Sequence, residues 1–385
     1  MKARAALLCA AGMALLLSGC WSKMELTERA FVLGLAIDEG GEDRLEVTVQ
    51  IYKPSSQFGS PTGLTQDEAF INVTLDGSSL SNIIRNTKTV TGRHSQFSHI
   101  QIILISEDVA KKRLGSILDF FYRDPEIRLV TAVMIAKGKA RDYLTGKSLI
   151  ENTLGSQVFK QLDFSYKMAG RSVNTTLLDL AFQLKSESAS AMLPVITHDK
   201  KFGKNIVHGI ALAHPDRVVG RINPEKAPYL LLLAGKYKYG VLEIPCGGEG
   251  DLSETIEVLE SEARITPVIE GDSVSARIRV NIAASVGELA CTTIRDLADE
   301  TRFADMIGRH FKEQMESVLA ALRERKADVL GIGHKIYVRD PSRWKKLKPD
   351  WPERYARLPI ELEVRASVLN SKMMLPGPFS RIDDH

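Results

Sequence analysis

Val274-Ser275-Ala276-Arg277-Ile278-Arg279-Val280-Asn281-Ile282 alternates apolar and polar residues without a break. A strand turns successive side chains to opposite faces, so a period of two predicts a strand with one buried and one wetted face. The pattern recurs in Leu45, Val47, Val49 and Ile51, set against Glu46, Thr48 and Gln50. It returns through Leu358, Ile360, Leu362, Val364, Ala366 and Val368. Strands of a doubly wound parallel sheet are covered on both faces and read as continuous apolar runs, so alternation favours antiparallel pairing. Neighbouring strands with few helices between them predict an α+β chain. The expected architecture is two to three mixed α/β domains with largely antiparallel sheets.

Working outward, the apolar run Phe31–Ile37 and the turn residues Glu39-Gly40-Gly41-Glu42-Asp43 make a hairpin with Leu45–Ile51. Ile71, Val73 and Leu75 give a third strand, and Leu80, Ile83, Ile84, Thr87 and Val90 a helix. Ile100–Ile105 is a buried strand. Ser106 then stands at an N-cap position, with Glu107 and Asp108 in the first turn, where the helix dipole favours acids. Asp124-Pro125 ends that helix, and Ile127–Ala136 has the character of a central strand. Residues 20–145 are therefore expected to form an N-terminal α/β domain and 146–200 a small middle subdomain or linker. Residues 201–385 would form a C-terminal α/β domain. It starts with a hairpin over Ile206–Ile222 and contains a long helix whose stripe is Phe303, Ile307, Phe311, Met315, Val318 and Leu322.

The 385 residues are 44% apolar and 26% charged, which supports a sizeable core and excludes a fibrous or wholly disordered chain. With 51 basic against 48 acidic residues, bulk attraction to nucleic acid has no support. Lys2 and Arg4 precede an apolar run of 13 residues, Ala5–Leu17, which is too short for a hydrocarbon core of ~30 Å. Residues 1–19 therefore read as a cleaved export signal. Ser18-Gly19-Cys20 resembles a bacterial lipobox, with cleavage after Gly19 and a lipid on Cys20; the alternative is an ordinary signal peptide with a chance Cys. One acyl chain anchors only marginally, at ~0.8 kcal/mol per buried CH₂, whereas a diacylglyceryl group on Cys20, with or without a further N-acyl chain, supplies at least two. Cys246 and Cys291 pair in a disulfide or pack as separate thiols; the spacing leaves both open.

No constellation for catalysis, metal or another cofactor assembles. Gly331-Ile332-Gly333-His334-Lys335-Ile336 begins like a dinucleotide fingerprint, but Ile336 stands in place of the third glycine. His94 and His99 lie near Ser95 and Ser98 without a nucleophile elbow. Asp38, an acid at the end of a buried strand, either caps a local turn or faces a binding site. Charge is segregated: Glu243–Glu270 holds eight acids and one base, and Arg323–Arg357 eleven bases and five acids. These are two solvated faces that pair with each other, or else Arg343, Trp344, Lys345 and Lys346, with Trp351, meet anionic lipid or an acidic partner.

Four blocks in chain order carry a resemblance. They are Gly19-Cys20-Trp21 with Glu25-Leu26 and the run to Ile37-Asp38; Gly92-Arg93 with Ser98-His99; Phe121-Tyr122-Arg123-Asp124-Pro125-Glu126-Ile127-Arg128; and Asp328-Val329-Leu330-Gly331-Ile332-Gly333 with Trp344-Lys345 and Trp351. Together they resemble the spore-germination receptor C-subunit lipoproteins of the GerAC type. The resemblance implies a non-catalytic lipoprotein on the outer face of the spore's inner membrane. Its implied partners are membrane lipid and the integral membrane A- and B-type subunits of a nutrient receptor, with direct nutrient contact left open. The Arg123-Asp124 turn and Arg128 are expected to form a structural ion-pair corner. A solute-binding lipoprotein of a transporter is the alternative; it usually has two doubly wound lobes.

Overall fold

β1 (Arg29–Glu39) and β2 (Leu45–Tyr52) form the expected hairpin, and β3 (Phe70–Gly77) extends it antiparallel. They belong to a computed structural model of the chain that describes residues 3–4, 25–53, 69–246, 252–271 and 273–370. On the other side of β1 the sheet turns parallel. β5 (Ile102–Ser106), β6 (Ala132–Ala136) and β7 (Ala191–Asp199) follow in register, Gly34 opposite Ile102 and Ile102 opposite Ala132. β8 (Lys204–Ala213) and β9 (Val218–Ile222) close the sheet antiparallel, and the short β4 (His94–Gln96) pairs with the start of β1. The result is a nine-stranded mixed sheet, a parallel centre flanked by hairpins.

Both faces of this sheet are covered, and the period of two sorts its residues cleanly. Leu35, Ile37, Ile103, Ile105, Val133 and Ile135 pack under α1 (Leu80–Thr91), α2 (Glu107–Arg123) and α4 (Leu177–Lys185). Ala36, Ile102, Leu104 and Met134 pack under a 3-10 turn, Ala140–Leu144, and α3 (Leu154–Lys167). Thr48 and Gln50, read from the alternation as facing water, are buried for the same reason. Gln50 donates to the Leu144 carbonyl at 3.0 Å and accepts from the Gly155 amide at 2.7 Å, so its burial leaves no polar atom stranded.

The second sheet has the order β10 (Val241–Pro245), β11 (Ser253–Glu270), β12 (Ser273–Glu288), β13 (Ile360–Asn370). In β12, Ala276, Ile278, Val280 and Ile282 are buried while Arg277 and Arg279 point outward and pair with Glu361 and Glu363 of β13. The long helix α6 (Leu297–Glu324) lies over the buried face with the expected stripe inward. α7 (Ile332–Arg339), α8 (Pro341–Leu347) and α9 (Trp351–Ala356) complete the crossover to β13, which pairs parallel with β12. Alternation reports which face is wet and is silent on strand direction.

The expected boundary at 200/201 falls inside the β7–β8 hairpin, and both strands lie in the first sheet. α3, α4 and β7 of the expected middle segment pack as parts of that sheet's two layers. The two halves share a core. Met192, Ile210 and Leu212 meet the wholly buried α5 (Ala227–Leu233), which in turn packs against α6 and the second sheet.

Candidate functional site

A buried polar cluster sits where the halves join, around Asp328. This carboxyl is fully buried and has four donors. Its Oδ1 accepts the Ile332 amide at 2.9 Å. Its Oδ2 accepts the Gly333 amide at 2.7 Å, the Ser188 hydroxyl at 2.8 Å and the Trp351 indole N–H at 3.1 Å. The two amides are orphan donors of the first turn of α7, so Asp328 caps that helix from inside the core. Burial pushes the Asp328 pKa up to about 6 against the pull of its hydrogen bonds.

Ser188, on the loop between α4 and β7, completes a relay across the junction. It donates to Asp328 and accepts from the His334 amide at 3.0 Å. Its neighbour Glu187 accepts the Trp344 indole N–H at 2.5 Å and pairs with Lys348 at 2.8 Å. The lysine and the indole hold the Glu187 carboxyl below its ordinary range. Thus two indoles, stacked edge to face with centroids 5.1 Å apart, are each tied to a carboxylate. The Gly-x-Gly spacing follows. Gly331 takes a left-handed φ of 70°, and a Cβ on Gly333 would stand 2.6 Å from the Trp344 ring. The block that starts like a dinucleotide fingerprint enters a helix packed on tryptophan.

Beside this clasp lies a cleft of about 530 Å³ bounded by Glu187–Ala189, the β8–β9 turn His214–Arg217, Arg325, Lys326 and Trp351–Glu353. Its cations are internally matched: Arg217 with Asp216, Arg325 with Glu324, Lys326 with Glu353 and Lys348 with Glu187. Ala189 and Lys326, both on its wall, hold left-handed φ values of 46° and 53°. A strained backbone persists only where its surroundings over-determine it. The arrangement fastens two bodies together and presents no nucleophile–base pair.

The residues singled out by sequence fall in separate places. Trp344 and Trp351 are core residues, 2% and 4% exposed, so the expectation that they touch lipid or a partner is corrected; their N–H groups have carboxylate partners inside the protein. Lys345 and Lys346 are exposed on α8, and Arg343 is half-buried. Asp38 is a cap: its oxygens accept the Ala140 and Arg141 amides at 2.6 and 2.9 Å, and burial raises its pKa. Arg141 in turn pairs with Glu46 at 2.7 Å. The ion-pair corner is also corrected. Arg123 pairs with Asp119 one turn back at 2.8 Å, Asp124 accepts the Glu126 amide, and Arg128 is exposed with no ion pair among the described residues.

Cys246 and Cys291 are joined in a disulfide, which closes the open alternative. Next to it the buried Glu254 accepts the Ala290 and Cys291 amides. Gly19 and Cys20 lie outside the described residues. No helix among the described residues is long and apolar enough to cross a membrane. Sequence reasoning missed Glu187 and Ser188, whose partners lie 140 and more positions away. It also missed the capping role of Asp328, for which an acid just before Gly-x-Gly was the available signal.

Comparison with known proteins gives a consistent answer. Residues 22–198 match the model "Spore germination protein N-terminal domain", and residues 208–372 match "Spore germination B3/ GerAC like, C-terminal". Spore germination protein KC of Bacillus subtilis is 23% identical over 92% of each chain. Spore germination protein A3 of the same organism is 24% identical over 96% of this chain and 97% of its own. The crystal structure of the GerBC protein superposes with a TM-score of 0.57 at 20% identity, covering 88% of this chain and 97% of that one, so the fold is shared.

Proposed function

Since the chain belongs to the GerAC family of spore germination proteins, we propose that it is the lipid-anchored, non-catalytic C-type subunit of a nutrient germinant receptor. The carrying observation is that both family domains match in chain order across residues 22–198 and 208–372. In this reading the export signal is cut after Gly19 and Cys20 carries a diacylglyceryl group, with or without an N-acyl chain. The body then rests on the outer face of the spore's inner membrane. It acts by contact with two integral membrane subunits, and the tether raises its effective concentration so that modest contacts suffice. Lys345 and Lys346, exposed on α8, are available for such contacts or for anionic lipid. A transporter's solute-binding lipoprotein is disfavoured by the architecture, one mixed nine-stranded sheet and one four-stranded sheet rather than two doubly wound lobes.

The test is Cys20→Ala in the spore former. The expected result is loss of the protein from the membrane fraction and loss of germination with the nutrient this receptor senses. Normal germination with the protein in the soluble fraction contradicts the tethering account.

A further inference from the structure

The two ends of the nine-stranded sheet differ in character. β1, β5, β6 and β7 run parallel, so their starts share one end and their finishes the other. The turns at the finishing end, Gly40–Asp43, Lys137–Lys139 and Lys200–Lys204, are polar, and within them Phe202 is the one large apolar side chain. The starting end bears large apolar side chains from four separate segments. Leu26 precedes β1, Val130 precedes β6, and Phe182 lies on α4, whose Leu178 amide donates to the Leu129 carbonyl. Ile150 lies next to Glu151–Thr153, which line a cavity with Phe31 and Leu33 of β1. Their exposures are 72% for Leu26, 67% for Val130, 91% for Ile150 and 70% for Phe182. Single exposed hydrophobes are ordinary, but several on one end of a domain mark a contact surface.

We propose that this end of the sheet lies on the phospholipid bilayer, with Leu26, Val130, Ile150 and Phe182 in the interfacial layer. The inference rests on the lipid anchor of the proposed function and adds the orientation of the body. What commits the surface to lipid is the path of the chain. β1 begins at this end, and the nine residues from Trp21 to Arg29 span at most about 30 Å when fully extended. A tether that short holds the starting end close to the membrane and the polar end away from it. Arg128 and Lys147, two positions before Val130 and three before Ile150 in the chain, are exposed without a carboxylate partner among the described residues, which suits them to lipid phosphates in this orientation. Glu25, Glu28 and Asp179 share the same end, so the named charges carry no excess of cations and apolar burial supplies the preference.

The test uses the full-length acylated chain bound to vesicles of phosphatidylcholine and phosphatidylglycerol. A nitroxide is placed singly through Val130→Cys, Ile150→Cys, Phe182→Cys or, at the opposite end, Phe202→Cys. The expected result is a severalfold loss of accessibility to a water-soluble nickel relaxant at 130, 150 and 182 on vesicle binding, with none at 202. Water-like accessibility at all four positions, or protection at 202 alone, overturns the orientation. Protection that arises only after the integral membrane subunits are added overturns it too, and makes this end a protein-docking surface. Intact mass of the same preparation separates the two readings. An N-terminus without acyl groups overturns both, whereas acylated protein with exposed labels overturns this one alone.

Discussion

The Trp351 indole N–H and the Ser188 hydroxyl donate to the same oxygen, Oδ2 of Asp328, at 3.1 and 2.8 Å. One buried carboxylate thereby joins α7, α9 and a loop of the first sheet. Asp328→Asn keeps the shape but sets an amide NH₂ against groups that also donate. Stranded buried donors cost about 1–3 kcal/mol each. The expected outcome is a loss of about 2–3 kcal/mol at pH 7 in equilibrium urea unfolding, since the side chain can still satisfy part of the network.

The pH dependence of that loss has a definite sign. Burial raises the Asp328 pKa from 3.8 to about 6, so between these values the folded state binds more protons than the unfolded chain. Stability contributed by this group is therefore full below about pH 4 and falls as pH rises through about 6, by about 3 kcal/mol in all. Asp328→Asn lacks this slope. The gap between wild type and variant should be wider at pH 4 than at pH 7; a gap that widens with rising pH says that the four donors outweigh burial.

Gly333→Ala places a methyl group 2.6 Å from the Trp344 ring and 2.7 Å from Trp351 Nε1. Overpacking of this kind costs about 1–3 kcal/mol, because moving either indole breaks its hydrogen bond to Glu187 or Asp328. Gly41→Ala is the control, with nothing within 4 Å of the added carbon. Thermal unfolding should separate the two variants clearly.

The Cys246–Cys291 bridge spans 45 positions and ties the end of β10 to the segment after β12. Loop-closure entropy for that span predicts a contribution of about 4 kcal/mol. Reduction, or the paired Cys246→Ser and Cys291→Ser substitutions, should lower the melting temperature and raise amide exchange in β10 first. An unchanged melting temperature would show that the loop is already ordered without the bond.

Much of the fold was legible where a local pattern was sufficient. Strands β1, β2, β3 and β12, the α6 stripe and the Asp124-Pro125 stop follow from periodicity and turn chemistry alone. β11 was not anticipated, because the acids of Glu254–Glu262 suggested a solvated face although Ile256 and Val258 are buried between them. Thr48 and Gln50 looked wet because the turn and helix that cover them arrive some ninety residues later. Trp344 and Trp351 looked interfacial beside so many cations. Their place in the core depends on Glu187 and Asp328, and the first lies 157 positions away from its indole. Local spacing carries no record of such a partner.

Co-purification from isolated spore inner membranes tests the central claim most directly. With a tag on this chain, the account predicts that two multi-span membrane proteins are recovered with it after mild crosslinking. Recovery of the chain alone, together with tight binding of a nutrient by its isolated folded body, would contradict the account and restore the solute-binding alternative.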